Sequence, residues 1–266
     1  MSRQRLFLLQ IIVISPIKQT ANVLFTPKSN LIQLKDASII LIDKPLHWTS
    51  FDAVKKLKYA ISKKIGIKAR KFKIGHAGTL DPLATGLLIL CTGKATKQIP
   101  ALQETIKQYT GTITLGATTP SFDLETSFDQ TFDVSGLTPE HCKKVAEDFN
   151  GEIEQTPPVF SAIWVDGKRA YDLARKGEEP TLKSRKVTIH QFDIETTNFP
   201  DIAFEVSCTK GTYIRSLAND FGKALNNGAH LSSLRRTRIG EYHVSEAWQI
   251  QDFIDFISTF ETNESI

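Results

Sequence analysis

Residues 75–90 read GHAGTLDPLATGLLIL. The second half, from Gly86, is a continuous apolar run carried on by Cys91–Thr92 and closed by Gly93, which suits a strand buried on both faces. The first half is a Gly/His loop holding one carboxylate, Asp81, ahead of Pro82. Reading outward, 38–45 (SIILIDKP) is a second short apolar run stopped by Pro45, expected as the first strand of the domain. Thr49 and Asp52 have capping-box spacing ahead of a helix with Val54, Leu57 and Ile61 on its apolar face. Residues 109–116 (YTGTITLG) alternate as a half-buried strand does. Thr138-Pro139-Glu140 opens a helix running to about Phe149, and a shorter one covers Arg169 to Lys176. Strands are expected at 187–194 and 202–208, then a helix after Gly211 with Ile214, Leu217 and Phe221 on one face. Residues 231–244 return to extended chain. Strands and helices mix without a regular βαβ rhythm, so the expected class is α+β.

At 266 residues the chain can bury a substantial core, and 41% hydrophobic with 23% charged residues is ordinary for a globular protein. The net charge of +4 says little; its distribution says more. Ala53 to Leu80 contains no Asp or Glu but holds Lys55, Lys56, Lys58, Lys63, Lys64, Lys68, Arg70, Lys71 and Lys73. Such a run is either a solvated face or a phosphate-binding surface. After Arg238 there is no Lys or Arg, only acids. Three widely spaced cysteines (Cys91, Cys142, Cys208) form no disulfide framework or metal cluster, and the histidines lack H-E-x-x-H spacing, so reduced thiols and no metal are expected. The sequence CTGKATK (91–97) invites a P-loop reading, but Leu88 and Ala95 stand where the motif needs Gly and Ser or Thr.

The N-terminus (MSRQRLFLLQIIVIS) resembles a signal peptide, but its apolar stretch is too short for a membrane span and no clean cleavage site follows. A leader and an upstream start codon both stay open. Residues 1–35 are expected outside the fold, 36–245 as the folded body, and 246–266 as a short acidic helix or tail.

Asp81 has a plain reading as a turn residue bonded to nearby backbone N–H groups. Against it stand Gly75, Gly78 and Gly86, which let a ligand approach, and the neighbouring His76. A lone carboxylate in a cleft suits covalent catalysis better than hydrolysis by paired acids. Tyr109, Tyr213, Arg215 and Leu234 each have structural readings when taken singly.

Taken together, GHAGTLDPLATG (75–86), DKPLHWTSFDAV (43–54), KQYTGTITLGATTPSFD (107–123), PPVFSAIWVDGKRAYDLARKG (157–177), KGTYIRSLANDFG (210–222) and GAHLSSLRRTRIGEY (228–242) resemble the bacterial tRNA pseudouridine synthase B family, in the family's order. The resemblance covers about residues 38 to 245. It implies a pseudouridine-synthase catalytic fold: a mixed, mostly antiparallel sheet with flanking helices and a central cleft. It implies that Asp81 is the catalytic aspartate toward uridine 55 in the T-loop of tRNA, paired with Arg215. Tyr109 is then the tyrosine that stacks on the flipped base, and Tyr213 a second active-site tyrosine near the C5 proton. His76 contacts displaced RNA, Leu234 lines the uracil pocket, and Lys44 supports the cleft wall. The basic run makes Lys64, Lys68, Arg70, Lys71 and Lys73, with Arg235 and Arg236 of LRRTR, candidates for the RNA backbone. The reaction rearranges one nucleotide, so no cofactor is implied. A stand-alone, monomeric, cytoplasmic enzyme is expected, with no membrane association and no obligatory protein partner. Many family members continue into a small RNA-binding domain of the PUA type, for which the residues after Tyr242 are too few.

Overall fold

In the computed structural model, which describes residues 24–165, 167–178 and 180–261, one sheet organises the chain. Its strands are β1 (Ala37–Lys44), β2 (Ile74–His76), β3 (Ala84–Gly93), β4 (Lys107–Leu115), β5 (Gly151–Gln155), β6 (Arg185–Asn198), β7 (Asp201–Cys208), β8 (Ala229–Ile239), β9 (Tyr242–His243) and β10 (Trp248–Gln249). The main order is β10-β1-β3-β8-β4-β7-β6-β5, with β2 beside β3 and β9 beside β8. Two pairings are parallel, β1 with β10 and β3 with β8; the rest are antiparallel. Among the described residues seven α-helices accompany it: α1 (Leu31–Asp36), α2 (Ser50–Lys64), α3 (Ile99–Glu104), α4 (Pro139–Glu147), α5 (Ala170–Ala174), α6 (Ile214–Ala224) and α7 (Ile250–Ser258). Two-residue ladders join 117–118 to 130–131 and 164–165 to 168–169. None of these helices is long and apolar enough to cross a membrane.

The apolar patterning explains the two halves. In β1 and β3, Ile40, Ile42, Leu88 and Leu90 face one core, while Ile39, Leu41, Leu87 and Ile89 face another. Both faces are covered, which is why these strands read as unbroken apolar runs. In the other half β7 alternates, and its Ile202, Phe204 and Val206 pack against Ile214, Leu217 and Phe221 of α6. The α2 capping box forms: Thr49 Oγ1 accepts from the Asp52 N–H at 3.0 Å, and Asp52 Oδ2 accepts from the Thr49 N–H at 3.0 Å.

The expected outer boundaries move. Residues 24–36 belong to the body, with Phe25, Leu31 and Leu34 buried in the core beneath α2, and α7 joins that core through Phe253 and Ile257. Of the helix or tail expected over 246–266, the described residues show a helix, Ile250–Ser258, packed on the core. Residues 1–23, which hold the rest of the expected extension, lie outside the described residues.

Candidate active site

Asp81 sits between β2 and β3, in a loop clamped from both sides. Ser50, the first residue of α2, donates its hydroxyl to the Leu80 carbonyl at 3.0 Å and accepts the Leu80 N–H at 2.8 Å. His47 donates its N–H to the Pro82 carbonyl at 2.8 Å. From beneath, Arg236 on β8 donates Nε to Leu87 O at 2.8 Å, Nη2 to Gly78 O at 3.1 Å and Nη1 to Thr79 O at 3.4 Å. Lys44, at the end of β1, is fully buried and donates its ammonium to Trp48 O at 2.6 Å and Pro45 O at 3.0 Å. Burial lowers its pKa to about 8, against an opposing pull from the Asp81 charge. Lys44 thus holds the β1–α2 turn from behind the cleft.

The Asp81 side chain is 40% exposed, and its Oδ2 lies 2.9 Å from Nε of Arg215, which is 4% exposed. Arg215 stands in the first turn of α6, with Nη1 donating to Ser121 O at 3.1 Å and Nη2 to Phe160 O at 2.9 Å. Its Nε–H makes no hydrogen bond among the described residues, so the contact with Asp81 is ionic rather than directional. Asp123 Oδ2 is 3.7 Å from the same nitrogen. Burial raises the Asp123 pKa, and Arg215 opposes that rise. One buried cation therefore lies between two carboxylates, of which Asp81 is the one open to a ligand.

Asp81, Tyr109, Tyr213, Arg215 and Leu234 line one cleft of about 480 Å³. Tyr109 lies on β4, and burial pushes its pKa up, keeping the phenol neutral. Tyr213 precedes α6 and is locked by Gln155: its N–H donates to Oε1 at 2.7 Å and its carbonyl accepts from Nε2 at 3.1 Å. The Arg185 guanidinium carbon lies 4.9 Å from the Tyr213 ring centre. Leu234, paired with Ala84 and Gly111, also lines a neighbouring pocket of about 320 Å³ that shares Asp81 and Arg215.

Other expected site residues fall elsewhere. His76 is half-buried at the end of β2 and does not line the cleft; burial lowers its pKa, and its Nδ1 has no hydrogen-bond partner among the described residues. Arg236 corrects the expectation of an RNA-backbone contact: it is 2% exposed, and it donates to the Gly78 and Thr79 carbonyls of the loop and to the Leu87 carbonyl of β3. Arg235 is partly corrected, since its Nη1 and Nη2 bind the Asp43 carboxylate at 3.0 and 2.7 Å. Lys64 donates to Ser258 O at 2.8 Å, whereas Lys68, Arg70, Lys71 and Lys73 are exposed along the segment joining α2 to β2.

The cleft also contains groups that site reasoning from sequence omits. Lys107, two residues before Tyr109 and so on the same strand face, lines it with its ammonium bonded to the Gln103 and Thr105 carbonyls at the end of α3. Burial lowers its pKa to about 8. Asp123 lies at the end of a quoted block, TTPSFD, whereas nothing local marks Arg185 or Gln155. Among the described residues no group of three His, Cys, Asp or Glu could hold a metal ion. An accessible carboxylate beside a buried arginine, with two tyrosines and a leucine around it, suits nucleophilic attack on a flat, aromatic-stacked ligand.

A family model described as TruB family pseudouridylate synthase (N terminal domain) matches residues 63–214, and one described as tRNA pseudouridylate synthase B C-terminal domain matches residues 215–265. The chain is 57% identical over 218 residues to the tRNA pseudouridine synthase B of Flavobacterium johnsoniae, covering 82% of this chain and 95% of that one. To the protein of the same description in Phocaeicola vulgatus it is 50% identical over 235 residues, covering 88% and 99%. Among solved structures it is similar to a chain in the crystal structure of a Cbf5-Nop10-Gar1 complex, with a TM-score of 0.63 and 29% identity. That match covers 88% of this chain and 59% of the other.

Proposed function

Because this chain belongs to the TruB family of pseudouridylate synthases, we propose that it isomerises uridine 55 in the T-loop of tRNA to pseudouridine, with Asp81 as the nucleophile. The observation that carries the residue assignment is the accessible Asp81 carboxylate, 2.9 Å from buried Arg215 in the cleft lined by Tyr109, Tyr213 and Leu234. A uridine inside a folded RNA loop must be extruded to reach such a group, and an aromatic platform offsets part of the lost stacking. Tyr109 supplies that platform and Leu234 the apolar wall. A carboxylate oxygen of Asp81 attacks C1′ of the ribose or C6 of the base, and the N1–C1′ bond breaks. The uracil turns, C5 bonds to C1′, the C5 proton leaves toward the side of Tyr213, N1 gains a proton, and the carboxylate is released. Atoms balance within one nucleotide.

Arg215 sets a positive charge 2.9 Å from the attacking carboxylate on either path. Arg236 and Lys44 act at one remove, Arg236 by holding the Asp81 loop and Lys44 by holding the β1–α2 turn. Exposed Lys68, Arg70, Lys71 and Lys73 are placed to neutralise phosphates. The curated relatives carry tRNA in their descriptions, which favours tRNA as the substrate. The enzyme acts as a cytoplasmic monomer without an obligatory protein partner in this reading.

The test is pseudouridine formation on an unmodified tRNA transcript, wild type beside Asp81→Asn. The variant is expected to bind tRNA with unchanged affinity and to form no product. Turnover near the wild-type rate would remove Asp81 as the nucleophile. A wild type that binds tRNA and makes no product would leave an RNA-binding protein.

A further inference from the structure

The outer face of α2 carries a stripe used by neither the core nor the catalytic loop. Phe51, Lys55, Tyr59 and Lys63 follow one another at four-residue spacing, so they stack along one side of the helix. All four are exposed, Phe51 at 69% and Tyr59 at 65%, while Ala53, Leu57 and Ile61 bury the opposite face. Tyr59 divides two shallow grooves. One, of about 670 Å³, includes Trp48, Lys55 and Lys58; the other, of about 510 Å³, includes Lys63 and Ile257 of α7. Asp52 is the only carboxylate lining either groove, and it is occupied by the Thr49 cap. Among the described residues no carboxylate lies within 4.0 Å of the ammonium groups of Lys55, Lys56, Lys58 or Lys63.

Rings alternating with unpaired cations suit one chemistry. Unpaired nucleic acid offers a π face at each base and a negative charge at each link. An acidic peptide would engage the lysines and leave the rings in water; an apolar partner would do the reverse. Position decides which part of the RNA is held. The first residue of α2, Ser50, is bonded to Leu80 beside Asp81, so the stripe that opens with Phe51 starts one residue along the chain from the clamp on the catalytic loop.

We propose that the outer face of α2 is a second RNA-binding track, holding unpaired nucleotides of the substrate beyond the one that enters the cleft. Bases stack on Phe51 and Tyr59, and phosphates lie on Lys55, Lys58 and Lys63. This rests on the synthase reading for the identity of the RNA, but its test does not.

Two double variants are compared with wild type. Phe51→Ala/Tyr59→Ala removes the rings and keeps the charge; Lys55→Gln/Lys63→Gln does the opposite. Both change exposed side chains, and an unchanged melting temperature checks the fold. The probes are a labelled single-stranded oligouridylate, a duplex RNA of equal length, and an unmodified tRNA transcript under turnover. The ring variant is expected to bind oligouridylate about tenfold or more weakly, the effect of losing one or two stacked bases. It should keep its affinity for the duplex and raise KM for tRNA with kcat unchanged. The lysine variant is expected to lower the slope of log affinity on log salt by about 1.4 for oligouridylate, roughly 0.7 per phosphate. If the ring variant matches wild type in oligouridylate affinity and in KM, the track is refuted while the synthase reading stands, and the rings point instead to a protein contact. If wild type forms no pseudouridine, the synthase reading fails alone, because oligouridylate binding still decides the track.

Discussion

Lys44 has no surface in contact with water, and among the described residues its ammonium donates to two neutral carbonyls. Its ammonium is therefore held at a cost, and its pKa falls from 10.5 to about 8. Between those values the folded chain binds fewer protons than the unfolded one, so this group makes stability rise with pH. The slope reaches at most about 1.4 kcal/mol per pH unit, and below pH 8 the penalty of the buried charge is fully present. Lys44→Met removes the titration. Urea unfolding at pH 7.5 and at pH 10 should show the wild type gaining on the variant as pH rises; parallel stability curves would mean that Lys44 titrates at its ordinary value. The buried arginines show how far such roles can be read from sequence. Arg235 and Arg236 are neighbours in LRRTR and look equivalent as charge, but adjacent strand residues face opposite ways. One meets Asp43 at a partly open edge, the other turns inward to the Asp81 loop. Alternation was available as a signal; which side faces inward depends on pairing with β3, and nothing local reports that. The partner of Asp81 is legible only through the resemblance, since Arg215 reaches it from the far side of the cleft.

At the scale of elements, the parallel pairing of β3 with β8 makes the site, and Gly86 makes the pairing. Its φ is +101°, and a Cβ there would lie 2.3 Å from the Arg236 carbonyl oxygen and 2.8 Å from its nitrogen. The same residue pairs with Lys44 on its other side. Gly86→Ala thus combines a left-handed backbone with a backbone clash, a cost of roughly 2–4 kcal/mol. Because the strain falls on Arg236, which holds the Asp81 loop, and beside Lys44, which holds the β1–α2 turn, kcat should fall beyond what the lost stability explains. Thermal unfolding and single-turnover rates on one preparation check both; a variant with wild-type melting temperature would mean that the strands part without cost. Most of these elements announce themselves in sequence. The apolar runs, the Thr49–Asp52 cap and the Thr138-Pro139 start all mark elements seen in the structure, with ends differing by a few residues. What escapes is long-range. Asp123 and Phe160 sit on irregular segments, and their approach to Arg215 follows from the placement of α6 against the sheet, not from any local pattern.

For the whole molecule, the first and last described segments close one core. Phe25 meets Phe253 and Phe256 edge-on, with centroids 5.4 and 6.3 Å apart, beneath the same helix whose first residue clamps Leu80. The sequence places the body's start at residue 36, because the resemblance begins only at about residue 38. One cue was present: Asn30 and Gln33 have capping-box spacing, and each side chain accepts the other's N–H, at 2.9 and 3.0 Å. A six-residue helix gives too short a window for periodicity, so only packing reveals that Leu34 is fully buried. The two boundaries make opposite predictions for Leu34→Ala. Were the segment outside the fold, the change would behave as a surface substitution, within about 0.5 kcal/mol of wild type. In this core it removes buried methyl groups and leaves a cavity, costing about 2–5 kcal/mol. Leu34 lines neither the cleft nor the pocket beside it, so kcat measured well below the melting temperature should hold while the temperature at which activity is lost falls. Urea unfolding with a temperature series of tRNA turnover separates the cases, and a loss of kcat in the cold would mean that this core sets the position of Asp81 as well as the stability of the fold.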